Sequence, residues 1–366
     1  MPGVSVASRR GRAAPMLAEL YARVELPDHV NALRWSPEGA LLAAASLAGP
    51  VFLLDGGSGA VRRELRGHEG GALCVDFSPD GTRLASGGQD GAVRLYGVAD
   101  GAVKAEQSSG GAWVEHLEWA PSGKSLASAA GRGVRVWSSR LTHLGGFESH
   151  PGTVSALYWL EEKDEVVAAC NGGLFRSAAG QTKPTGYMPY KGAIQAVAPS
   201  PDGRFIAIGC QDGTAFVWWM GSTRTFTMPG HQGKVRVLAW SPESTILATG
   251  DAEAINLWRL SGPGSRKEQP LRLETPGGRV TGLVWRNDGL LMSTSEDGTL
   301  RGWLPHEGGE PLFTVRAEEP LSELVLSPDG IHVAAAGLHG RAFLFRLPVL
   351  VDARPRVAQR RELSAK

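Results

Sequence analysis

The sequence is poor in cysteine. Of its 366 residues only Cys74, Cys170 and Cys210 are cysteines, which excludes a fold stapled by disulfides. All three sit in apolar, strand-like runs, so buried thiols in a reducing compartment are expected. The nine histidines are dispersed, and no Cys, His or carboxylate cluster has ligand spacing, so neither a metal nor a cofactor is implied. No apolar run reaches transmembrane length, and Arg9, Arg10 and Arg12 are not followed by the core of a signal peptide. A cytoplasmic chain without a membrane partner is the expectation. Charge of one sign is also missing: 38 Lys and Arg stand against 37 Asp and Glu, so total charge favours neither nucleic acid nor lipid.

The chain does have many glycines and prolines, 49 and 23, with only 20% charged residues. That balance suits short strands joined by tight turns, an all-β chain. Residues 76–97, DFSPDGTRLASGGQDGAVRLYG, hold the cleanest unit, with Leu84 alternating with Ser86 and Val93 with Leu95 as strands require. Related units open at Val30, Ala72, Val114, Val154, Ile194, Val235, Val280 and Leu321, at intervals of 42, 42, 40, 40, 41, 45 and 41 residues. Most are followed by a turn such as SPEG at Ser36, SPDG at Ser78, Ser200 and Ser327, or SPES at Ser241; the fourth has EEKDE instead. Further strand candidates, such as residues 224–228 and 271–274, supply a fourth strand per unit. Eight four-stranded antiparallel propeller blades follow, with seven as the alternative count. The last unit ends at residue 347 without a fourth strand, and an orphan strand at residues 20–26 can fill the gap. Residues 349–357 compete for that place, but Pro355 and the charges on Asp352, Arg354 and Arg356 disfavour them. The expected divisions are a disordered tail at 1–16, the propeller at 17–347 and a basic tail at 348–366.

The second unit, with Gly67-His68, Ser78-Pro79-Asp80-Gly81, Ser86, Asp90 and Tyr96-Gly97, resembles a WD40 repeat in which Tyr-Gly replaces Trp-Asp. Trp137, Trp218, Trp258 and Trp303 take the tryptophan place in units three, five, six and seven. The resemblance covers residues 17–347 and implies a closed ring whose last blade borrows the N-terminal strand. It also implies that His68, Ser86, Asp90 and Tyr96 form a structural hydrogen-bonded tetrad. Their composition matches a Ser-His-Asp triad, but no nucleophile elbow accompanies them, so catalytic residues are not expected. The third unit lacks the His and has Arg132 near the Asp place. The fifth has Asp212 and Trp218 with Gly209 at the hydroxyl place, and the seventh keeps Ser293, Asp297 and Trp303 without a His.

Glycine groups GGQDG and GPGS lack the strand-to-helix context of a phosphate loop and read as turns. Surface recognition remains as the source of function. In the WD40 family, partners commonly bind the face bearing the loops into the first strand and the turns between the second and third. The resemblance transfers this role to His29, Asn31, Trp113, Glu115, Thr153, Ser155, Gln195, Lys234, Arg236, Arg279 and Thr281, and at the turns to Gln89, Gln211 and Glu296. Trp113 lies outside the core alternation and suits a binding hot spot, although packing on a neighbouring blade would explain it equally. Lys234, Arg236 and Arg279 would form a basic patch for an acidic or phosphorylated peptide, against the plainer reading of solvated charges. The expected function is a non-enzymatic scaffold for a protein or peptide, a monomeric propeller within a larger complex. Its rivals are an enzyme using the central channel, where a metal could be assembled from several blades, and nucleic-acid binding through the basic rim and tails.

Overall fold

A computed structural model describes residues 17–350 apart from 66, 161–163, 261–268, 276 and 307. The expected tail at 1–16, nearly all of the basic segment at 348–366, the GPGS group and most of the EEKDE run lie outside the described residues. Among those described there are 32 strands and no helix. They form eight four-stranded antiparallel sheets, seven of them built from four consecutive strands. In the eighth, the N-terminal strand Glu19–Glu25 pairs with Arg341–Arg346, from Glu19 opposite Arg346 to Glu25 opposite Arg341. The chain is thus an eight-bladed propeller closed by its first strand, and no strand edge is left open at the seam.

The innermost strands of blades 1 to 8 are Val30–Trp35, Ala72–Phe77, Val114–Trp119, Ala156–Leu160, Ile194–Pro199, Val237–Trp240, Val280–Trp285 and Leu321–Leu326. Each contacts the next, and the last contacts the first, so they ring a central channel. In blades 4 and 6 the strand starts two residues after the expected Val154 and Val235, which are buried in the preceding loops.

Second strands depart from simple alternation. Leu84 to Gly88 are buried throughout, as are all six residues of Ser125–Ala130 and Phe205–Cys210. A blade in a ring has a neighbour on each face, so both faces of its middle strands must be apolar and small. Runs such as Leu42-Ala43-Ala44-Ala45 and Ala334-Ala335-Ala336 meet that demand, and one blade's Leu33, Leu42 and Leu54 pack on Ala334, Ala336 and Leu344 of the next. Closing the ring completely buries Phe343 and Phe345, each contributing about 1.5–3 kcal/mol.

A second aromatic series, at or one residue before the end of the inner strands, ties blades together. The indole N–H groups of Trp35, Trp159, Trp240 and Trp285 donate to Val325 O, Glu118 O, Ala198 O and Ala239 O of the preceding blade, at 3.3, 2.9, 2.9 and 3.2 Å. The turns that follow use glycine where the backbone is left-handed, except that Asp164 takes φ 49° in EEKDE and Ser244 φ 58° in SPES. The Ser244 hydroxyl accepts Asp202 N from the neighbouring blade at 3.1 Å, which offsets the unfavourable backbone.

Candidate functional site

In blade 2 the strands bring His68, Ser86, Asp90 and Tyr96 together. His68 Nδ1 lies 3.0 Å from Asp90 Oδ1 and its Nε2 2.6 Å from Ser86 Oγ, which in turn lies 3.4 Å from Tyr96 Oη. Space for the imidazole exists because residue 88 is glycine: a Cβ there would stand 2.3 Å from His68 Nδ1. Burial holds the His68 pKa down despite the Asp90 bond. Burial opposes ionisation of Asp90, but bonds from His68 and Arg94 prevail and bring it to about 2. Ser86 is fully buried and Tyr96 only 1% exposed, while the Asp90 side chain keeps 14% exposure at the edge of the group.

The other blades keep parts of the frame. Blade 6 has a version the sequence reading missed: His231 Nε2 lies 2.7 Å from Thr249 Oγ1, which also accepts Trp258 Nε1–H at 3.0 Å. Its signal was a Thr nine residues before a Trp. In blade 3, Trp137 donates to Ser128 at 2.8 Å and Ser109 stands 3.3 Å from Ser128 in place of a His. Trp303 donates to Ser293 at 2.9 Å in blade 7. In blade 5 the pairings Ile206–Trp218 and Ile208–Phe216 put Ile208, not Gly209, at the hydroxyl place. Blade 4 has Ala168 there and Ser177 in the aromatic place, leaving His150 Nε2 and Ser177 Oγ without a hydrogen-bond partner among the described residues.

The residues assigned to recognition share one end of the ring, called here the upper end. Backbone bonds join the two loop sets there: Leu47 N donates to His29 O, Gln89 N to Gly71 O, Gln211 N to Ala193 O and Glu296 N to Arg279 O, at 2.8 to 3.0 Å. Trp113 is 53% exposed. Glu115, Thr153, Gln211, Lys234, Arg236, Arg279 and Glu296 are also exposed, whereas His29, Asn31, Gln89, Ser155, Gln195 and Thr281 are half-buried. Several of the latter serve internal bonds: Asn31 donates to Ala72 O at 2.7 Å, Ser155 to Ala169 O at 3.3 Å, and Thr281 to Thr294 at 3.2 Å. Arg279 pairs with Glu296 at 3.6 Å. Lys234 and Arg236 form no ion pair among the described residues and are the free bases of that sector.

Lower in the channel the inner strands present charge on one side only. Arg34, Asp76 and Glu118 occupy the fifth position of consecutive inner strands, and Glu323 reaches them from blade 8, where it accepts Leu33 N at 2.6 Å and lies 3.4 Å from Arg34. Burial raises Asp76 to about 6 although Arg34 and Trp119 N, at 2.7 Å, favour its anion. Enclosure, with repulsion from Asp76, raises Glu118 to about 8. It also holds His116 down at about 4, hence neutral. The positions matching Arg34 in blades 4 to 8 are Tyr158, Ala198, Ala239, Val284 and Val325. Among the described residues no group of three or more His, Cys, Asp or Glu has a geometry that could hold a metal.

Residues 22–49, 59–97, 183–218, 222–259 and 268–303 match the family described as WD40: WD domain, G-beta repeat. Residues 98–182 fall between the matches. Protein HIR1 of Kluyveromyces lactis is 27% identical over 176 residues, 40% of this chain and 20% of that protein. Actin-interacting protein 1 of Drosophila melanogaster is 32% identical over 142 residues, 37% of this chain and 23% of that protein. WD repeat-containing protein 1-B of Xenopus laevis is 30% identical over 121 residues, 32% and 19% respectively. The matches therefore span about a fifth of these relatives' length. The C-terminal WD40 domain of Sif2 superposes with a TM-score of 0.77 at 16% identity, covering 92% of this chain and all of that one. The computationally designed Ika8 protein gives 0.75 at 20% identity over 91% of this chain. Both are likenesses of fold.

Proposed function

Because this chain is a WD40-repeat β-propeller, we propose that it is a non-enzymatic scaffold that binds a protein or peptide on its upper face. The observation carrying this reading is Trp113, an aromatic side chain 53% exposed at the rim of a rigid ring. Glu115 stands beside it, and the unpaired Lys234 and Arg236 suit an acidic or phosphorylated stretch of the partner. A pre-formed ring avoids much of the ordering entropy that a flexible binder loses. The name Actin-interacting protein 1 records a protein partner for that relative. Protein binding as a class, rather than actin, is what we carry to this chain. Three buried free cysteines and the lack of a helix long and apolar enough to cross a membrane, among the described residues, support placing it in the cytoplasm. A single propeller within a larger complex is the assembly we propose.

The test is quantitative affinity capture with the wild type and with Trp113→Ala, Arg236→Glu. The double variant should lose its specific partners while melting at the same temperature; unchanged capture would sink this site.

A further inference from the structure

At the lower end of the channel the inner strands of blades 1, 6, 7 and 8 enclose an open cavity of about 460 Å³. Trp35, Leu283, Val284, Trp285 and Val325 are among its walls, and Arg34 is the one charged residue that lines it. The indole N–H groups of Trp35 and Trp285 are already given to Val325 O and Ala239 O, at 3.3 and 3.2 Å. Apart from Arg34, the lining side chains therefore offer a ligand apolar surface alone. Arg34 is not used up by its protein contacts. Its Nη1 donates to Leu33 O at 3.0 Å and faces Glu323 Oε1 at 3.4 Å. Its Nε and Nη2 make no hydrogen bond or ion pair among the described residues, and 40% of the side chain is exposed. The contact with Glu323 is loose, because that carboxylate gives its other oxygen to Leu33 N at 2.6 Å. Asp76 is tied to Trp119 N at 2.7 Å, and neither it nor Glu118 forms an ion pair with Arg34 among the described residues. The Nε and Nη2 edge of a guanidinium is a pair of parallel donors that fits both oxygens of one carboxylate.

We infer that this cavity binds an aliphatic carboxylic acid, with its carboxylate on the Nε and Nη2 edge of Arg34 and its chain along the tryptophan and aliphatic walls. The volume lies within the roughly 300–1,000 Å³ of small-molecule sites, which join mostly apolar walls to a few placed polar groups. Burial of the chain supplies affinity in proportion to the apolar area taken from water. The head group decides which amphiphile is preferred. An alcohol of the same length gains the walls but leaves the two donors without a counter-charge, and an amine brings a like charge up to Arg34. Glu323, 3.4 Å from the guanidinium, competes with the ligand, so neutralising it strengthens binding. The site lies at the opposite end of the ring from Trp113 and does not rest on the upper-face reading.

Calorimetric titration of the full chain at pH 7 with sodium octanoate, 1-octanol and octylamine tests this. Octanoate should bind at least about tenfold more tightly than octanol, with octylamine weaker than both. Arg34→Met, which keeps the aliphatic stem, should bring octanoate down to the affinity of octanol. Glu323→Gln, which retains an acceptor for Leu33 N, should tighten octanoate about threefold. Val284→Trp should fill the cavity and stop both ligands while Arg34 remains, and Trp113→Ala should leave both unchanged. Thermal melts show whether each variant is folded, and the comparison of the three ligands on the wild-type chain needs no variant. Equal affinity for octanoate and octanol, octanoate held as tightly by a folded Arg34→Met variant, or no binding at millimolar octanoate would overturn the inference.

Discussion

Blades 2 and 4 are built from the same strand order and nearly the same registers, yet share almost none of the side chains that define the repeat. Where blade 2 has His68, Ser86 and Tyr96 in contact, blade 4 has His150, Ala168 and Ser177, with two polar atoms stranded. Both blades still close into the ring. The difference teaches that a blade is held chiefly by its ladder bonds and by apolar faces pressed between neighbours, and that the tetrad adds local rigidity to that frame. Stability is shared along the ring as in other repeat architectures.

The sharpest break of this comparison is at the aromatic place. Tyr96→Ala should destabilise by about 3–5 kcal/mol by leaving a cavity, whereas Ser177→Ala at the matching place of blade 4 should be close to neutral. Urea melts of the two variants decide it, and equal losses would refute the division of labour. A smaller effect is expected at the hydroxyl place. Ser86→Ala strands His68 Nε2 and should cost about 1–3 kcal/mol, while Ala168→Ser should stabilise by about 0.5–1.5 kcal/mol by giving His150 Nε2 a partner.

Next comes pH. The folded-state pKa of Glu118 is raised, so its contribution is fully present below the ordinary glutamate value near 4.5 and is lost as pH rises through about 8. Glu118→Gln should remove that decline, worth about 1–2 kcal/mol after screening by channel water, in melts between pH 5 and 9. Asp90 has the opposite sign: its stabilisation is present above the ordinary aspartate value of 3.8 and fades as pH falls toward 2, and Asp90→Asn should flatten that acid limb. The smallest change is expected for Ser244→Gly, within about 0.5 kcal/mol, since relief of the left-handed backbone offsets loss of the Asp202 bond.

The ring was legible in the sequence because turn chemistry and strand spacing repeat together, and because residues 20–26 had no unit of their own. Two features were not read. The tryptophans at 35, 159, 240 and 285 each stand five residues after a unit's opening position, but their purpose, an N–H aimed at the preceding blade, exists only once blades are side by side. Arg34, Asp76 and Glu118 follow one another at the 42-residue repeat interval, yet look like ordinary strand-face charges until the inner strands are gathered around one channel. Second strands misled in the other direction: apparent alternation at Leu84 and Ser86 hid burial on both faces, because serine and alanine are small enough for a sandwiched position. At the upper rim the sequence marked exposed positions, but it could not show that Asn31, Ser155 and Thr281 would serve internal bonds or that Arg279 would meet Glu296.

The central claim, recognition on the upper face, is tested most directly by site-specific photo-crosslinking. Benzoylphenylalanine would be placed at Trp113 or Lys234, and at Asp80 or Asp329 in the turns at the other end of the ring. The account predicts one shared protein crosslinked from both upper positions and absent from both lower ones. Crosslinks of equal yield from all four, or from the lower pair alone, would contradict it.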